Sequence, residues 1–249
     1  GSFNLHGIDE PKQDAIKTLS IIKQHLDREP SNSIGLLAPT RQHLTPIMTL
    51  LDASEIPYHA KEMMPLGDNI SVRDIHLLTS LCLQPDIINH WLGFLRTPWM
   101  GFTLEDISVF SASLKQKNPL NAFEDTAILN NVSKESKHTI KSVMPTLQYF
   151  ITQRGNQPIN IWVEWFYQAL GGIPLIDYDP VQAYLACLGD YPNVATDLTG
   201  FVEKIGRLYY SKTPKKQSNI HMMTIHQAKG LAFDVVILPS GNHSYINNE

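Results

Sequence analysis

A short stretch near the end of the chain combines residue types that can hold an anion. Thr224 and His226 follow an apolar run with the pattern of a strand, and Lys229 with Gly230 predicts a tight turn before the next strand. Two residues apart on an extended segment, Thr224 and His226 would share one face. A hydroxyl, an imidazole and nearby backbone amides at a strand end can bind one phosphate of a single strand. The alternative is a strand-end threonine and histidine that bind no ligand.

The elements that must position this stretch begin with an α/β pattern. Helical spacing of apolar residues over 11–28 precedes a short apolar strand at 33–38, which Pro39 closes. A helix is predicted from about Thr45, and a second strand at 56–60. The order helix, strand, helix, strand favours α/β layering with parallel strands.

A long block in the middle of the chain has a different character. Residues 71–216 show repeated helical spacing and no convincing strand, whereas strand patterns return at 219–225 and 233–238. The chain must therefore come back to the sheet that it left. We predict an α/β fold made of two parts, a discontinuous α/β domain and an inserted all-α subdomain. Their boundaries are 3–70 with 217–249 for the first and 71–216 for the second.

Within the helical block, several residues indicate packing rather than ligand binding. Thr103 has the sequence context of a helix cap, with Asp106 three residues on. Cys82 and Cys187 belong to no Cys-x-x-Cys pair, which favours reduced core thiols over a zinc site. A group of aromatic residues could stack on bases, but its helical spacing favours the core. These residues are Trp162, Trp165, Phe166 and Tyr167.

The segment from Met223 to Pro239, which reads MTIHQAKGLAFDVVILP, resembles motif V of the UvrD/Rep/RecB-like superfamily 1 helicases. The family pattern is T-[IL]-H-x-[AS]-K-G-L-E-[FY], followed by an apolar strand. This resemblance implies an incomplete RecA-like lobe of the P-loop NTPase type. It also implies that Thr224 and His226 contact single-stranded DNA, while Lys229 and Gly230 complete the DNA-binding turn.

Two further segments resemble the exonuclease branch of this family. Residues 34–44, IGLLAPTRQHL, resemble motif IVa, and residues 95–102, LRTPWMGF, resemble the L-R-[SA]-P-x-x-G-L stretch of RecB- and AddA-like subunits. The resemblance implies a part of an exodeoxyribonuclease V beta or AddA-like subunit, an ATP-dependent helicase and exonuclease in DNA repair and recombination. It places Arg41 and Gly230 near the nucleotide. It is dense at both ends of the chain and thin from about 110 to 215.

Two positions depart from the family pattern. The family has glutamate after Gly-Leu, where it reaches the nucleotide ribose, but this chain has Ala232. Pro39 stands where many relatives have arginine. Both departures weaken the expected nucleotide contacts and leave the DNA contacts better supported. A degenerate helicase lobe without turnover is therefore one alternative, and a non-enzymatic module that docks partner proteins is another.

Composition and missing motifs limit what these 249 residues would do alone. The net charge of −4 argues against a self-sufficient DNA-binding domain, because phosphate neutralisation dominates the affinity of such domains. The sequence has no G-x-x-x-x-G-K-[ST] loop, so we expect no ATP hydrolysis by this chain alone, and ATP with Mg²⁺ only in a full-length parent. No run of 18 apolar residues is present, which predicts no membrane span and a cytoplasmic protein.

The partners implied by the resemblance are single-stranded DNA, a duplex junction, the missing first motor lobe and a partner subunit of an exonuclease complex. A local basic cluster precedes motif V and could follow duplex phosphates, although a solvated helix end is the simpler interpretation. The cluster consists of Lys204, Arg207, Lys212, Lys215 and Lys216.

Overall fold

The computed structural model describes residues 11–114, 119–153, 155–172, 178–214 and 216–239. These residues form two compact units. The sheet unit comprises those before residue 65 and after residue 208, and the helical unit those from 65 to 208. The predicted mixed α/β class is confirmed. The predicted boundaries, at 70/71 and 216/217, differ by a few residues from this division, and the interpretation of the helical unit as an inserted subdomain stays a prediction.

The sheet unit contains a five-stranded sheet in the order β3-β2-β4-β1-β5. Parallel pairing joins β4 to both β1 and β2, and joins β5 to β1. The prediction that strands from both ends of the chain share one sheet is confirmed. The strands are β1 (Ile34–Ala38), β2 (His59–Pro65), β3 (Tyr209–Lys212), β4 (Ile220–Thr224) and β5 (Val235–Ile237).

One face of the sheet is buried by α1 (Pro11–Arg28) and α2 (Thr45–Ala53). A 3₁₀ turn at Arg41–Leu44 runs directly into α2, so Leu44, not Thr45, occupies the cap position. Apolar side chains that alternate along the parallel strands meet the apolar faces of the two helices, which is how such layers bury a core. The largest fully buried members include Ile22, Leu36, Leu44, Ile47, Leu51 and Tyr58.

The strand β3 contradicts the expectation that no strand lies between 70 and 215. Repeated helical spacing without a convincing strand was predicted over 71–216. In the structure α11 ends at Gly206, and Tyr209–Lys212 form an edge strand beside β2. Two adjacent tyrosines suit a half-buried strand, but four residues with alternating exposure are too few to show a clear period of two. This strand supplies two side chains to the site described below.

Beyond the end of β2, the regular elements in the described part of the helical unit are all helices. Its core is rich in aromatic residues, among them Trp91, Phe94, Phe110, Phe123 and Tyr184. The helices are α3 (Ile70–Leu83), α4 (Ile88–Leu95), α5 (Leu104–Leu114), α6 (Pro119–Glu124), α7 (Thr126–Leu129), α8 (Lys134–Thr152), α9 (Ile159–Ala169), α10 (Tyr178–Gly189) and α11 (Leu198–Gly206).

The residues predicted to pack in the helical unit do so with one exception. Trp162, Phe166 and Tyr167 are buried in α9, which confirms a core role, whereas Trp165 is half exposed on the same helix. Cys82 and Cys187 are both buried. Among the residues that the structure describes, no helix is long and apolar enough to cross a membrane.

Candidate nucleic-acid interface

The candidate site lies at the carboxyl edge of the sheet, where the two central strands end side by side. Ala38, the last residue of β1, pairs with Thr224, the last residue of β4. The amide of Ile225 then donates to the carbonyl of Ala38 at 2.9 Å, and the strand pairing stops there. In sheets with parallel strands, ligands bind beyond the carboxyl ends of the strands. The segment that follows Thr224 is therefore positioned to meet a ligand.

The chain folds back on itself immediately after β4. The carbonyl of Thr224 accepts from the amides of Gln227 and Ala228 at 3.0 and 3.1 Å, and Gly230 has φ +86°. His226 therefore lies in a turn, so the prediction that Thr224 and His226 share one face of an extended segment is wrong. The sequence placed the end of the strand correctly, but the backbone hydrogen bonds that close the turn give no signal in the residue pattern.

Thr224 is engaged within the protein. Its amide and its hydroxyl both donate to the Oε1 atom of Gln227, at 2.9 and 3.0 Å. A threonine hydroxyl has a single proton, so in this arrangement it does not donate to a phosphate. Thr224 thus fixes the turn through Gln227. Sequence analysis did not single out Gln227, which stands at the variable position of the motif.

His226 and Lys229 occupy the exposed side of this turn. An imidazole and an ammonium can each donate hydrogen bonds to phosphate oxygens. They are three positions apart along the turn, and Gly230 follows with an open space where a Cβ would stand. Of the residues predicted to contact DNA, these two are the ones whose side chains are presented to solvent.

A second group of residues joins the same edge from β2, the 3₁₀ turn and β3. The Nε atom of Arg41 donates to the carbonyl of Glu62 at 2.7 Å, and its terminal nitrogen lies 3.9 Å from the Glu62 carboxylate. The guanidinium carbon sits 4.1 Å from the ring centre of Tyr209. Glu62 also accepts from the Nε2 atom of Gln227 at 3.1 Å. A continuous chain of contacts thus runs from Thr224 through Gln227 and Glu62 to Arg41.

Glu62 was not predicted, and its backbone is unusual. Its φ is +47°, a left-handed conformation that residues with a Cβ seldom adopt. The Glu62 amide donates to the hydroxyl of Ser211 in β3 at 2.9 Å, while its carbonyl accepts from Arg41. Because β3 holds the amide of this residue and the 3₁₀ turn holds its carbonyl, the strained conformation is imposed by other elements of the sheet unit. No local sequence pattern could have indicated it.

The far end of motif V is fastened to β1. Asp234 accepts from the amide and the hydroxyl of Ser33, at 2.8 and 2.7 Å, and returns a hydrogen bond from its own amide. These hydrogen bonds lower the pKa of Asp234. The ring of Phe233 covers Gly35, where a Cβ would come within 2.5 Å of the ring. The segment between Gly230 and β5 is therefore held at both ends.

A stacked histidine pair lies on the neighbouring strands β2 and β4. His59 of β2 and His221 of β4 are directly paired in register, with ring centres 4.9 Å apart and planes 8° apart. Burial, with a smaller effect of His59, lowers the pKa of His221. In the part of the chain that the structure describes, no group of three or more His, Cys, Asp or Glu side chains could hold a metal ion.

The structure shows what surrounds the residues expected near a nucleotide, and their nucleotide contacts stay a prediction. The guanidinium of Arg41 is bound to Glu62 and stacked on Tyr209, and Ala232 is exposed with no polar side-chain atom. Two residues of the basic cluster that could follow duplex phosphates are paired with carboxylates instead. Arg207 pairs with Glu203, and Lys212 donates to Asp52 at 2.7 Å. Lys215 lies outside the described residues.

Comparison with protein families gives one match, which covers the last part of the chain. Residues 184–246 match the family described as UvrD-like helicase C-terminal domain. The matched segment contains β4, the turn and β5. The match covers about a quarter of the chain and indicates that this part is similar to the C-terminal domain of UvrD-like helicases. No curated protein matches the chain.

Proposed function

We propose that this chain is an incomplete second motor lobe of an ATP-dependent DNA helicase, RecA-like in fold, with the helical unit as an inserted subdomain. Its parent would be a helicase and exonuclease subunit of the exodeoxyribonuclease V beta or AddA-like branch, acting in the cytoplasm in DNA repair and recombination. ATP and Mg²⁺ would be bound by the full-length parent together with the first motor lobe. A partner subunit of an exonuclease complex completes the expected set of partners.

One observation carries this proposal. A turn with an exposed histidine and an exposed lysine stands at the carboxyl edge of a parallel sheet, inside the segment that matches the helicase domain. Phosphates are bound by such side chains together with backbone amides. The lobe contributes only part of a DNA channel, which agrees with the acidic net charge of −4.

Each residue of the turn has its own role in binding single-stranded DNA. His226 and Lys229 donate to phosphate oxygens. Thr224 and Gln227 fix the turn from inside through their two hydrogen bonds. Gly230 adopts the positive φ that ends the turn, a conformation that costs glycine little.

The proposal is tested by His226→Ala combined with Lys229→Ala. Each hydrogen bond contributes a net free energy of about 0.5–1.5 kcal/mol, rising toward about 3 kcal/mol with a charged partner. Loss of both side chains should therefore lower the affinity for single-stranded DNA roughly ten- to a hundredfold. Affinity is measured by fluorescence anisotropy with a labelled oligothymidylate at one low salt concentration. A melting curve for each protein shows whether the fold is retained.

A matched control exists in the helical unit. His138 and Lys141 are also exposed and also three positions apart, on α8. Their double replacement by alanine changes the same residue types and should alter the affinity less than about twofold. If the two double variants weaken binding equally, or neither does, the turn is not a DNA-binding site and the proposed function fails.

A docking role is the second candidate, and one observation favours it. Tyr149 of α8 and Trp165 of α9 are both about half exposed, on either side of the buried Trp162. Aromatic residues of this kind are enriched in protein interfaces. Tyr149→Ser with Trp165→Ser would leave DNA binding intact and abolish capture of a partner subunit if docking is the main role of the helical unit.

A further inference from the structure

Glu62 is held in a conformation that serves no evident packing purpose. Among the described residues with a Cβ, Glu55 and Glu62 are the two with positive φ. The Glu62 side chain is 55% exposed, so its position is not required to fill the core. Strained backbone on a scaffold that over-determines it is a feature of ligand-binding sites.

The carboxylate of Glu62 stands where an anion would be bound. One of its oxygens accepts from the Nε2 atom of Gln227 at 3.1 Å, and a terminal nitrogen of Arg41 lies 3.9 Å from the same oxygen. An amide N–H and a guanidinium can both donate to phosphate oxygens as well as to a carboxylate. Neither contact is short, and both are exposed to water, so the carboxylate can be displaced at low cost.

Arg41 would stay in place when the carboxylate leaves. Its guanidinium is stacked on Tyr209, with 4.1 Å between the guanidinium carbon and the ring centre, and its Nε atom is bonded to the carbonyl of Glu62 and not to the carboxylate. A guanidinium held by stacking and by a main-chain bond keeps its terminal nitrogens available to a new partner.

We propose that Glu62 sets the affinity of this edge for single-stranded DNA, because its carboxylate competes with a backbone phosphate for Arg41 and Gln227. The proposal rests on the function proposed above and adds a residue that restrains it. DNA binding then includes the exchange of an internal carboxylate for a phosphate. The competition limits how tightly the lobe holds one strand, which suits a surface that must release and rebind DNA.

The test is Glu62→Gln, which removes the charge and keeps the shape of the side chain. Removing one negative charge beside a phosphate is expected to tighten binding of labelled oligothymidylate by about three- to tenfold at low salt. In wild type the displaced carboxylate still offsets one positive charge beside the bound strand. Its removal should therefore steepen the plot of log affinity against log salt by about 0.7, the value for one phosphate of a single strand. A purely structural role would not change this slope.

Glu55→Gln is the matched control. Glu55 is exposed, has φ +53°, and stands just before β2, at the amino edge of the sheet. The substitution removes the same charge from the same kind of strained residue, and it should change the affinity less than about twofold. In the Glu62→Gln background, Arg41→Ala should remove the gain in affinity.

A second arm distinguishes DNA phosphate from nucleotide phosphate. Fluorescent ATP and inorganic pyrophosphate are titrated against wild type and Glu62→Gln. Tighter binding of these probes without tighter binding of oligothymidylate would overturn the proposal, because the carboxylate would then compete with a nucleotide.

The remaining outcomes separate the two proposals. If Glu62→Gln leaves DNA affinity unchanged or lowers it, while the His226 and Lys229 variant weakens binding, the competition is refuted and the DNA-binding function stands. If no variant alters DNA affinity, or wild type binds no oligonucleotide at low salt, both proposals are refuted.

Discussion

Two acidic side chains, one in each unit, show how differently a carboxylate can be held. Asp106 of the helical unit is 4% exposed and accepts three hydrogen bonds, from the amide and hydroxyl of Ser133 and the hydroxyl of Ser136, at 2.6–2.9 Å. Glu62 of the sheet unit is 55% exposed, accepts one hydrogen bond at 3.1 Å from a side chain, and faces a guanidinium 3.9 Å away. The first carboxylate is fully satisfied, and the second is only loosely held.

The electrostatics of Asp106 explain what its cluster does. Burial acts to raise the pKa of this carboxyl, but the hydrogen bonds from Ser133 and Ser136 outweigh burial and lower it. Ser133 is also the cap of α8, so the charge of Asp106 lies at the positive end of a helix dipole. A buried and fully bonded carboxylate fixes α5 against α8. A loosely bonded, exposed carboxylate on a strained backbone is instead available for exchange.

The largest expected effect comes from removing the satisfied carboxylate. Asp106→Ala leaves the part-buried hydroxyl and amide of Ser133 and the buried hydroxyl of Ser136 without their acceptor, and it should lower the free energy of unfolding by about 2–4 kcal/mol. Urea unfolding followed by far-UV circular dichroism measures this loss. Glu105→Ala, at an exposed neighbour in the same helix, should cost less than about 1 kcal/mol.

The same variant tests the contrast between the two carboxylates. At temperatures where Asp106→Ala is folded, its affinity for single-stranded DNA should equal that of wild type, whereas Glu62→Gln should change affinity with little change in stability. If Asp106→Ala unfolds at the same urea concentration as wild type, the cluster carries no stability and the comparison fails.

A second polar group of the helical unit tests the comparison through pH. The ring of His76 in α3 lies 3.1 Å from the hydroxyl of Tyr184, measured from Nδ1. Burial, with a smaller effect of His90, lowers its pKa to about 4. Because the pKa of His76 is lower in the folded protein, the unfolded chain binds the proton at a higher pH than the folded protein does. The free energy of unfolding is therefore lost as pH falls from about 6.5 toward 4. The full difference corresponds to roughly 3–4 kcal/mol, since one pKa unit is about 1.36 kcal/mol.

Asp74 in the same helix acts in the opposite direction. Burial raises the pKa of Asp74 to about 6. Burial of the charged carboxylate destabilises the folded protein, and this destabilisation is lost as pH falls from above 6 toward 3.8, the usual pKa of the side chain. The free energy of unfolding should therefore fall with acid more steeply in Asp74→Asn than in wild type, and less steeply in His76→Gln. Chemical unfolding at several pH values between 7 and 4.5 measures these slopes. Parallel slopes in all three proteins would contradict both assignments.

The contrast between the carboxylates also shows where prediction from sequence ends. The strand ends and the motif V turn could be located because apolar runs, Pro39 and Lys229-Gly230 are local signals. Thr103 was predicted as a cap near Asp106, and the Asp106 amide does donate to the Thr103 hydroxyl at 3.2 Å. The carboxylate of Asp106, however, binds residues 27 and 30 positions away. No local pattern carries such a partner.

The site itself was predicted only in its central segment. The resemblance to motif V marked Thr224, His226, Lys229 and Gly230. Thr224 is the last residue of β4, and the other three follow it at the carboxyl edge. Glu62 was missed, because its contact with Gln227 spans 165 positions. Its position also depends on β3, which is too short to show a period. Strand order decides which distant residues contact the site, and strand order is known only from the structure of the sheet.

The smallest expected effect comes from replacing one glycine in each unit by alanine, and these two variants can be compared directly. Gly230 ends the motif V turn with φ +86°, and Gly171 follows α9 in the helical unit with φ +85°. At both positions a Cβ would meet no atom within 4 Å, so alanine introduces backbone strain and no clash. Each substitution should lower the free energy of unfolding by about 1 kcal/mol.

Only Gly230→Ala should also weaken binding to single-stranded DNA, by about three- to fivefold, because its strain is relieved by distorting the turn that presents His226 and Lys229. Gly171→Ala should bind as wild type does, since the strain it introduces lies far along the chain from that turn. Anisotropy titrations and urea unfolding of the two variants side by side give both numbers. Equal affinities for the two variants would show that the geometry of the turn does not matter for DNA, and the helicase-like segment would then be a structural element with no role in holding the strand.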